Sequence, residues 1–183
     1  MIYYDNALRL RLPHNEIYRI HQNLDFFIQE KLNIKTPYSF KSTPGTANDT
    51  LILIRTAQSL SLPGEVKKSI NISEGDELEF ISTMAVVKRE NQGERKREVQ
   101  PTPEELDHYV QGRIERSGFS VHFLNVSKSE IYSIKKPGTK ILIPASIVKS
   151  RCKVNSVELA ENSIVYGIGR KRVFGFGFLS VMD

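Results

Sequence analysis

The sequence predicts an α+β fold made of two consecutive halves, each with the element order β-α-β-β-α-β. Residues 2–12 alternate apolar and polar side chains, which is typical of a strand with one buried face. Residues 16–32 then space their apolar positions as an amphipathic helix does. A later helix opens at residues 102–105, where a cap, a first-turn proline and two acids coincide. Two such halves in one chain predict tandem ferredoxin-like, or RRM-like, domains.

The first domain is predicted to cover residues 1–88. Pro63 suits the first turn of a helix and favours a short helix at residues 62–70. The other elements expected in this half are strands with β-rich, mostly apolar sequence, at residues 38–42, 50–57 and 76–87.

The second domain is predicted to cover residues 89–183. A charge run at residues 88–98 with five cations and three acids lies at its start, and we expect a solvated, mobile linker there. Asn155 and Glu158 resemble a capping box for a helix that ends at Gly167. The strands expected in this half lie at residues 119–126, 130–134, 140–144, 147–154 and 173–179.

Composition limits the class of protein. The net charge of +5 over 183 residues indicates a polyanionic partner without proving one. A single cysteine, Cys152, cannot form an intramolecular disulfide, which is typical of a reducing compartment. No apolar run approaches the roughly 20 residues that span a bilayer, and Met1 leads directly into strand-like sequence. We therefore predict a cytoplasmic protein without a membrane partner.

A glycine-rich loop near the C-terminus is the most unusual stretch of the chain. Gly167 and Gly169 precede the three consecutive cations Arg170, Lys171 and Arg172. Backbone N–H groups beside cations suit a phosphate chain. The loop differs from a dinucleotide-binding loop, because it follows a helix and spaces its glycines differently. Contact with an anion or RNA and a purely structural turn both remain open at this point.

Histidine acid–base chemistry is the catalytic function that the residues favour most. None of the histidines has zinc spacing, so we predict neither a metal nor another cofactor. His21 is the best candidate, since it lies at the edge of the first helix's apolar stripe. Tyr18 precedes it by one turn, and Asp25 follows it by one turn. The alternative is a structural histidine at a domain seam. The other histidines are His14, His108 and His122.

Two motifs at opposite ends of the chain resemble one family. The first helix reads Y-x-x-H-Q-x-L from Tyr18 to Leu24, and Ala57-Gln58 follows a predicted strand. Gly167 and Gly169 are followed by Gly175-Phe176-Gly177-Phe178-Leu179 near the end. Together these motifs resemble the CasE (Cse3) family, the endoribonucleases of the Cascade complex that cut precursor CRISPR RNA within its repeats.

The resemblance implies metal-independent cleavage of repeat RNA at the 3′ side of its stem-loop, leaving 2′,3′-cyclic phosphate and 5′-hydroxyl ends. It also implies that the protein stays on the mature crRNA as a subunit of an antiviral defence complex, next to the backbone subunit. His21 would be the general acid or base, with Tyr18 beside it. A non-catalytic subunit that binds the crRNA hairpin, or a general RNA-binding protein, are the alternatives. The residues expected to bind RNA are Lys135, Lys136, Lys140, Lys149, Arg151, Gly167, Gly169, Arg170, Lys171 and Arg172.

Overall fold

The structure, a computed structural model, describes residues 1–93 and 95–182. Glu94, one of the acids of the charge run, and Asp183 lie outside the described residues. Within the described part, two antiparallel sheets with helices form the bulk of the fold, and one further hairpin stands apart from them. None of the described helices is long and apolar enough to cross a membrane.

The first sheet consists of β1 (Ile2–Leu10), β2 (Tyr38–Pro44), β3 (Thr50–Thr56) and β4 (Val66–Ser69). Its strand order is β2-β3-β1-β4. Counted from the β4 edge, the fourth strand is followed by the first, the third and the second, as in a ferredoxin-like domain. Residues of β1 and β3 face each other in register, with Leu8 opposite Ile52, so their apolar side chains share one face.

The first helix packs its apolar stripe on this sheet. Helix α1 spans Ile17–Asp25 and continues as a π-helical turn over Phe26–Lys31. Ile20, Leu24 and Ile28 are completely buried, as their spacing predicts. The extent of the predicted helix is confirmed, whereas its π-helical end had no signal in the pattern.

The short helix predicted at residues 62–70 is wrong. Gly64 has φ +80, which is incompatible with a right-handed helix, and Glu65 N–H donates to Leu62 O to close a turn. Glu65 also accepts bonds from Asn6 Nδ2 and Leu60 N–H, which tie this segment to the sheet. Strand β4 follows and pairs with β1. Proline at a first turn was therefore outweighed by the glycine after it.

The strands of the second sheet are β5 (Glu77–Ala85), β8 (Phe119–Val126), β9 (Glu130–Lys136), β10 (Thr139–Val154) and β11 (Ser180–Met182). Their order is β11-β5-β10-β8, which repeats the arrangement of the first sheet. Strand β9 extends the sheet by pairing with the first part of β10. The residues predicted as two strands at 140–144 and 147–154 form the single continuous strand β10 instead.

Strand β5 belongs to the second sheet, although we predicted residues 76–87 in the first domain. It pairs with β10 on one side and β11 on the other. We therefore propose that the two domains meet shortly before Glu77, and not at residue 88 as the sequence predicted.

Two helices complete the second half. The predicted cap of α2 (Pro103–Glu115) is confirmed, and it is a capping box with both reciprocal bonds between Thr102 and Glu105. Helix α3 (Val157–Tyr166) ends at Gly167 as predicted. Its predicted cap is wrong, because Ser156 is the N-cap residue and makes no side-chain cap bond.

The charge run after β5 forms a hairpin instead of the mobile linker that we expected, and it lies within the second half. Strand β6 (Lys88–Gln92) pairs with β7 (Arg95–Val99), and Arg89 lies opposite Glu98. The alternation of charged side chains along it fits a solvated strand pair as well as a linker, so composition could not separate the two.

The final strand predicted at residues 173–179 is also wrong. A 3-10 turn at Arg172–Phe174 is followed by glycines with positive φ at 175 and 177. Phe174 and Phe176 are buried with Ile134 and Ile143 in a cluster that also contacts Tyr18 of α1. This cluster joins α1 to the β9–β10 pair, and the candidate site lies on it.

Candidate active site

His21 lies on α1 at the edge of the cluster that joins the two halves. Its side chain is 19% exposed, and its ring meets the Phe174 ring edge-on at 5.6 Å between centroids. Nε2 lies 3.4 Å from Asp25 Oδ2, one turn further along the helix. Nδ1 is buried and has no hydrogen-bond partner among the described residues. The imidazole is thus held on one edge only.

The surroundings lower the pKa of His21. Burial is the largest cause, Asp25 opposes it, and the Lys136 ammonium lowers the pKa further. Because an ordinary histidine already titrates slightly below pH 7, this imidazole is neutral at neutral pH. A neutral ring that can accept a proton is the form that a general base requires.

Tyr18 and Lys136 flank the same site from different halves of the chain. Tyr18 lies one helical turn before His21 on α1, and Lys136 is the last residue of β9. The Lys136 ammonium lies 5.2 Å from the centre of the Tyr18 ring and 5.7 Å from that of Phe174. These two aromatic faces keep a cation beside the histidine.

A second tyrosine, which the sequence analysis missed, completes the surroundings of His21. The Tyr38 hydroxyl donates to Asp25 Oδ1, while Asp25 Oδ2 faces His21. Burial and this bond raise the pKa of Tyr38 far above its ordinary value, so the phenol remains protonated. A tyrosine in a strand carries no signal of such a contact, because only tertiary pairing brings β2 to α1. A pocket of about 310 Å³ adjoins this group, lined by His21, Asp25, Gln29, Thr36, Pro37, Tyr38, Tyr166, Arg172 and Val173.

The glycine-rich loop packs closely on its own chain. Ile168 N–H donates to Gly177 O, and Gly177 N–H donates to Thr83 O on β5. A Cβ on Gly167 would lie 2.7 Å from Gly177 O, and one on Gly177 would lie 1.9 Å from Ile168 O. This close packing of the loop on its own backbone is therefore sufficient to explain why residue 167 is a glycine. Gly169, at φ +83, meets only the Met84 side chain within 4 Å, at 3.5 Å.

The three cations of this loop already have protein partners. Arg170 and Lys171 pair with Glu98 of the β6–β7 hairpin, at 3.6 and 2.7 Å. Arg172 donates to the carbonyls of residues 166 and 167 at the end of α3 and lines the pocket beside His21. Of these three, Arg172 is the one that the structure brings to His21.

The remaining predicted cations form two further groups. Lys135 and Lys140 face each other across the exposed end of the β9–β10 pair, next to Lys136. Lys149 and Arg151 share the outer face of the second sheet, and both pair with Glu79, at 2.8 and 3.3 Å. The predicted RNA-binding residues thus lie in separate groups, of which the β9–β10 end and Arg172 reach the surroundings of His21.

Comparison with known proteins assigns the chain to a family. A protein-family model described as "CRISPR associated protein" matches residues 47–182. No curated protein sequence matches the chain significantly.

Three solved structures share the fold over almost the whole chain. Thermus thermophilus Cse3, bound to an RNA that represents a pre-cleavage complex, is 16% identical with a TM-score of 0.77, covering 100% of this chain and 99% of that one. Cas6e from Escherichia coli K-12 is 15% identical with a TM-score of 0.73, covering 100% of each chain. A subunit of a pre-nicking CRISPR RNA-guided surveillance complex is 16% identical with a TM-score of 0.70, covering 98% of each chain. At these identities the likeness confirms the predicted tandem ferredoxin-like fold. Because the family model spans most of the chain, this protein belongs to the CRISPR-associated protein family, with the fold that Cse3 and Cas6e share.

Proposed function

We propose that this protein is a metal-independent endoribonuclease that cleaves CRISPR repeat RNA at the 3′ side of its stem-loop. The observation that carries the proposal is the convergence of His21 and Tyr18 from one half of the chain with Lys136 from the other. Cse3 has been solved with RNA, which supports RNA as the substrate class.

The reaction needs only groups of this kind. The 2′-hydroxyl oxygen attacks the adjacent phosphorus, the bond from phosphorus to the 5′ oxygen breaks, and a 2′,3′-cyclic phosphate and a 5′-hydroxyl result. The attacking hydroxyl loses a proton and the leaving oxygen gains one, so the step balances without a co-reactant. An intramolecular nucleophile is already positioned, which leaves proton transfer and charge stabilisation to the protein.

His21, neutral at pH 7, takes the proton of the 2′-hydroxyl. A positioned histidine contributes about 10²–10⁴-fold to such a step. Lys136 stabilises the negative charge that develops on the phosphoryl oxygens, and one such donor contributes about 10²–10³-fold. Tyr18 orients the leaving 5′ oxygen from the same face of the helix.

Binding of the stem rests on the exposed cations. A-form RNA offers phosphates and a deep, narrow major groove, so basic hairpins recognise its shape and backbone. We infer that the β9–β10 end and the cations Lys149 and Arg151 contact phosphates, and that these contacts keep the product on the protein within a CRISPR ribonucleoprotein. Replacing both Lys149 and Arg151 with Glu should weaken RNA binding and flatten the salt dependence of that binding. An unchanged dissociation constant and salt slope would remove these two residues from the interface.

The decisive experiment is cleavage of a cognate repeat RNA in EDTA by the parent protein and by His21→Ala, with binding measured for both. We expect the parent to produce a cyclic phosphate, and His21→Ala to bind RNA equally well with a rate reduced by at least about 10². His122→Ala, which removes an exposed histidine on β8, is the matched control and should cut normally.

Two results would refute the proposal in different ways. Equal cleavage by His21→Ala and the parent would mean that the active site lies elsewhere. Tight binding without cleavage by the parent would favour the alternative of a non-catalytic hairpin-binding subunit.

A further inference from the structure

We propose that Asp25 is a positioning residue for His21, and that the Tyr38 hydroxyl holds Asp25 in the orientation that this requires. The inference rests on the proposed function, in which His21 is the base. It adds two residues to the site that neither the motif on α1 nor the glycine-rich loop contains.

The geometry divides the Asp25 carboxylate between two partners. Oδ1 accepts from the Tyr38 hydroxyl, and Oδ2 lies 3.4 Å from His21 Nε2. Tyr38 itself is fixed, because it pairs with Thr56 across β2 and β3 and its ring packs on the Phe40 ring at 6.2 Å. A strand of the first sheet therefore sets the direction in which Asp25 points.

This arrangement selects one tautomer of the neutral ring. A carboxylate can only accept, so the ring nitrogen that faces it carries the proton. The proton then sits on Nε2, and the lone pair lies on Nδ1, which has no partner among the described residues. Nδ1 therefore keeps the free lone pair, and because it is buried in this conformation, it can act as the base only after RNA binding turns or uncovers the ring.

Asp25 also offsets other influences on the charge of the ring. The charged groups facing His21 are Asp25 from its own helix and Lys136 from β9, while Arg172 lines the adjoining pocket from the 3-10 turn. Burial and Lys136 lower the pKa of His21, and Asp25 raises it. Without Asp25 the ring would be a weaker base as well as a less ordered one.

The substitution Asp25→Leu tests this through the tautomer. Leucine offers His21 Nε2 no acceptor, whereas asparagine could still present its amide oxygen, because the Tyr38 hydroxyl can accept from the amide nitrogen. The proton would no longer be held on Nε2, and part of the rings would carry it on Nδ1, the nitrogen that must accept. We expect ¹⁵N NMR of the ring in the RNA-free protein to show this mixture of tautomers and a lower pKa of His21. Single-turnover cleavage should fall about 10²-fold, with RNA binding no weaker.

Two further variants sharpen the test. Tyr38→Phe keeps the Asp25 carboxylate but removes the bond that orients it, so it should lower the rate less than Asp25→Leu does. Glu30→Gln removes a negative charge from an exposed position just beyond α1 and is the matched control, with no change expected.

The outcomes separate this inference from the proposed function. If His21→Ala abolishes cleavage while Asp25→Leu changes neither the tautomer nor the rate, the positioning role is refuted and the proposed function stands. If Asp25→Leu shifts the tautomer while cleavage is unaffected, the positioning role is refuted, and equal cleavage by His21→Ala would refute the proposed function as well.

Discussion

Gly177 offers a test of whether the glycine-rich loop is built for packing. Its φ is +81, and a Cβ there would lie 1.9 Å from the backbone carbonyl oxygen of Ile168, which cannot move aside as the end of a flexible side chain can. Gly64 has nearly the same φ, +80, but a Cβ there meets nothing within 4 Å. Alanine at either position takes on the strain of a left-handed backbone, about 1–2 kcal/mol. Only Gly177→Ala adds a steric clash, typically about 1–3 kcal/mol.

The expected free energy of unfolding therefore falls by about 2–5 kcal/mol for Gly177→Ala and by about 1–2 kcal/mol for Gly64→Ala. For a chain of this size, 1 kcal/mol corresponds to about 2–4 °C in Tm. Urea unfolding and thermal melting of the two variants beside the parent would measure the difference. Equal melting of the two variants would refute the packing argument. A loss of RNA binding by Gly177→Ala without any loss of stability would show instead that the loop serves the ligand.

Two further predictions concern charges around the site. Lys136→Gln should slow single-turnover cleavage about 10²-fold. It should also raise the pKa of His21, because the ammonium disfavours the imidazolium, so the acid limb of the pH–rate profile moves to higher pH. An unchanged acid limb would show that Lys136 does not influence the base. Glu98→Gln should release Arg170 and Lys171 for phosphate contacts, which tightens RNA binding and steepens its salt slope by about 1 per cation engaged. Filter binding at several salt concentrations would decide this, and an unchanged slope would contradict it.

Local patterns predicted the elements that depend on local physics. The apolar spacing of α1 identified its buried face, and the capping box at Thr102 marked the start of α2. Such patterns failed where distant contacts decide the conformation. Residues 173–179 alternate aromatic and small side chains as a strand does. In the structure, however, Gly177 forms backbone hydrogen bonds with Thr83 and Ile168, and the aromatic rings are buried while the backbone makes turns.

The same limit applies to the assignment of residues to one domain. Strand β5 was recognised as a strand, but its partners, β10 and β11, follow far along the chain. Sheet pairing depends on non-local hydrogen bonds, which leave no mark on the strand's own alternation.

By itself, the sequence determined the α+β class with two ferredoxin-like halves, and it identified the candidates His21 and Tyr18, because both share one turn of an amphipathic helix. Only the tertiary structure decided which of the many lysines meets them. Lys136 reaches the site because β9 pairs with β10 and the buried phenylalanines join that pair to α1. It likewise brought Tyr38 to Asp25, since a side-chain bond between a strand and a helix depends on packing that no local pattern records.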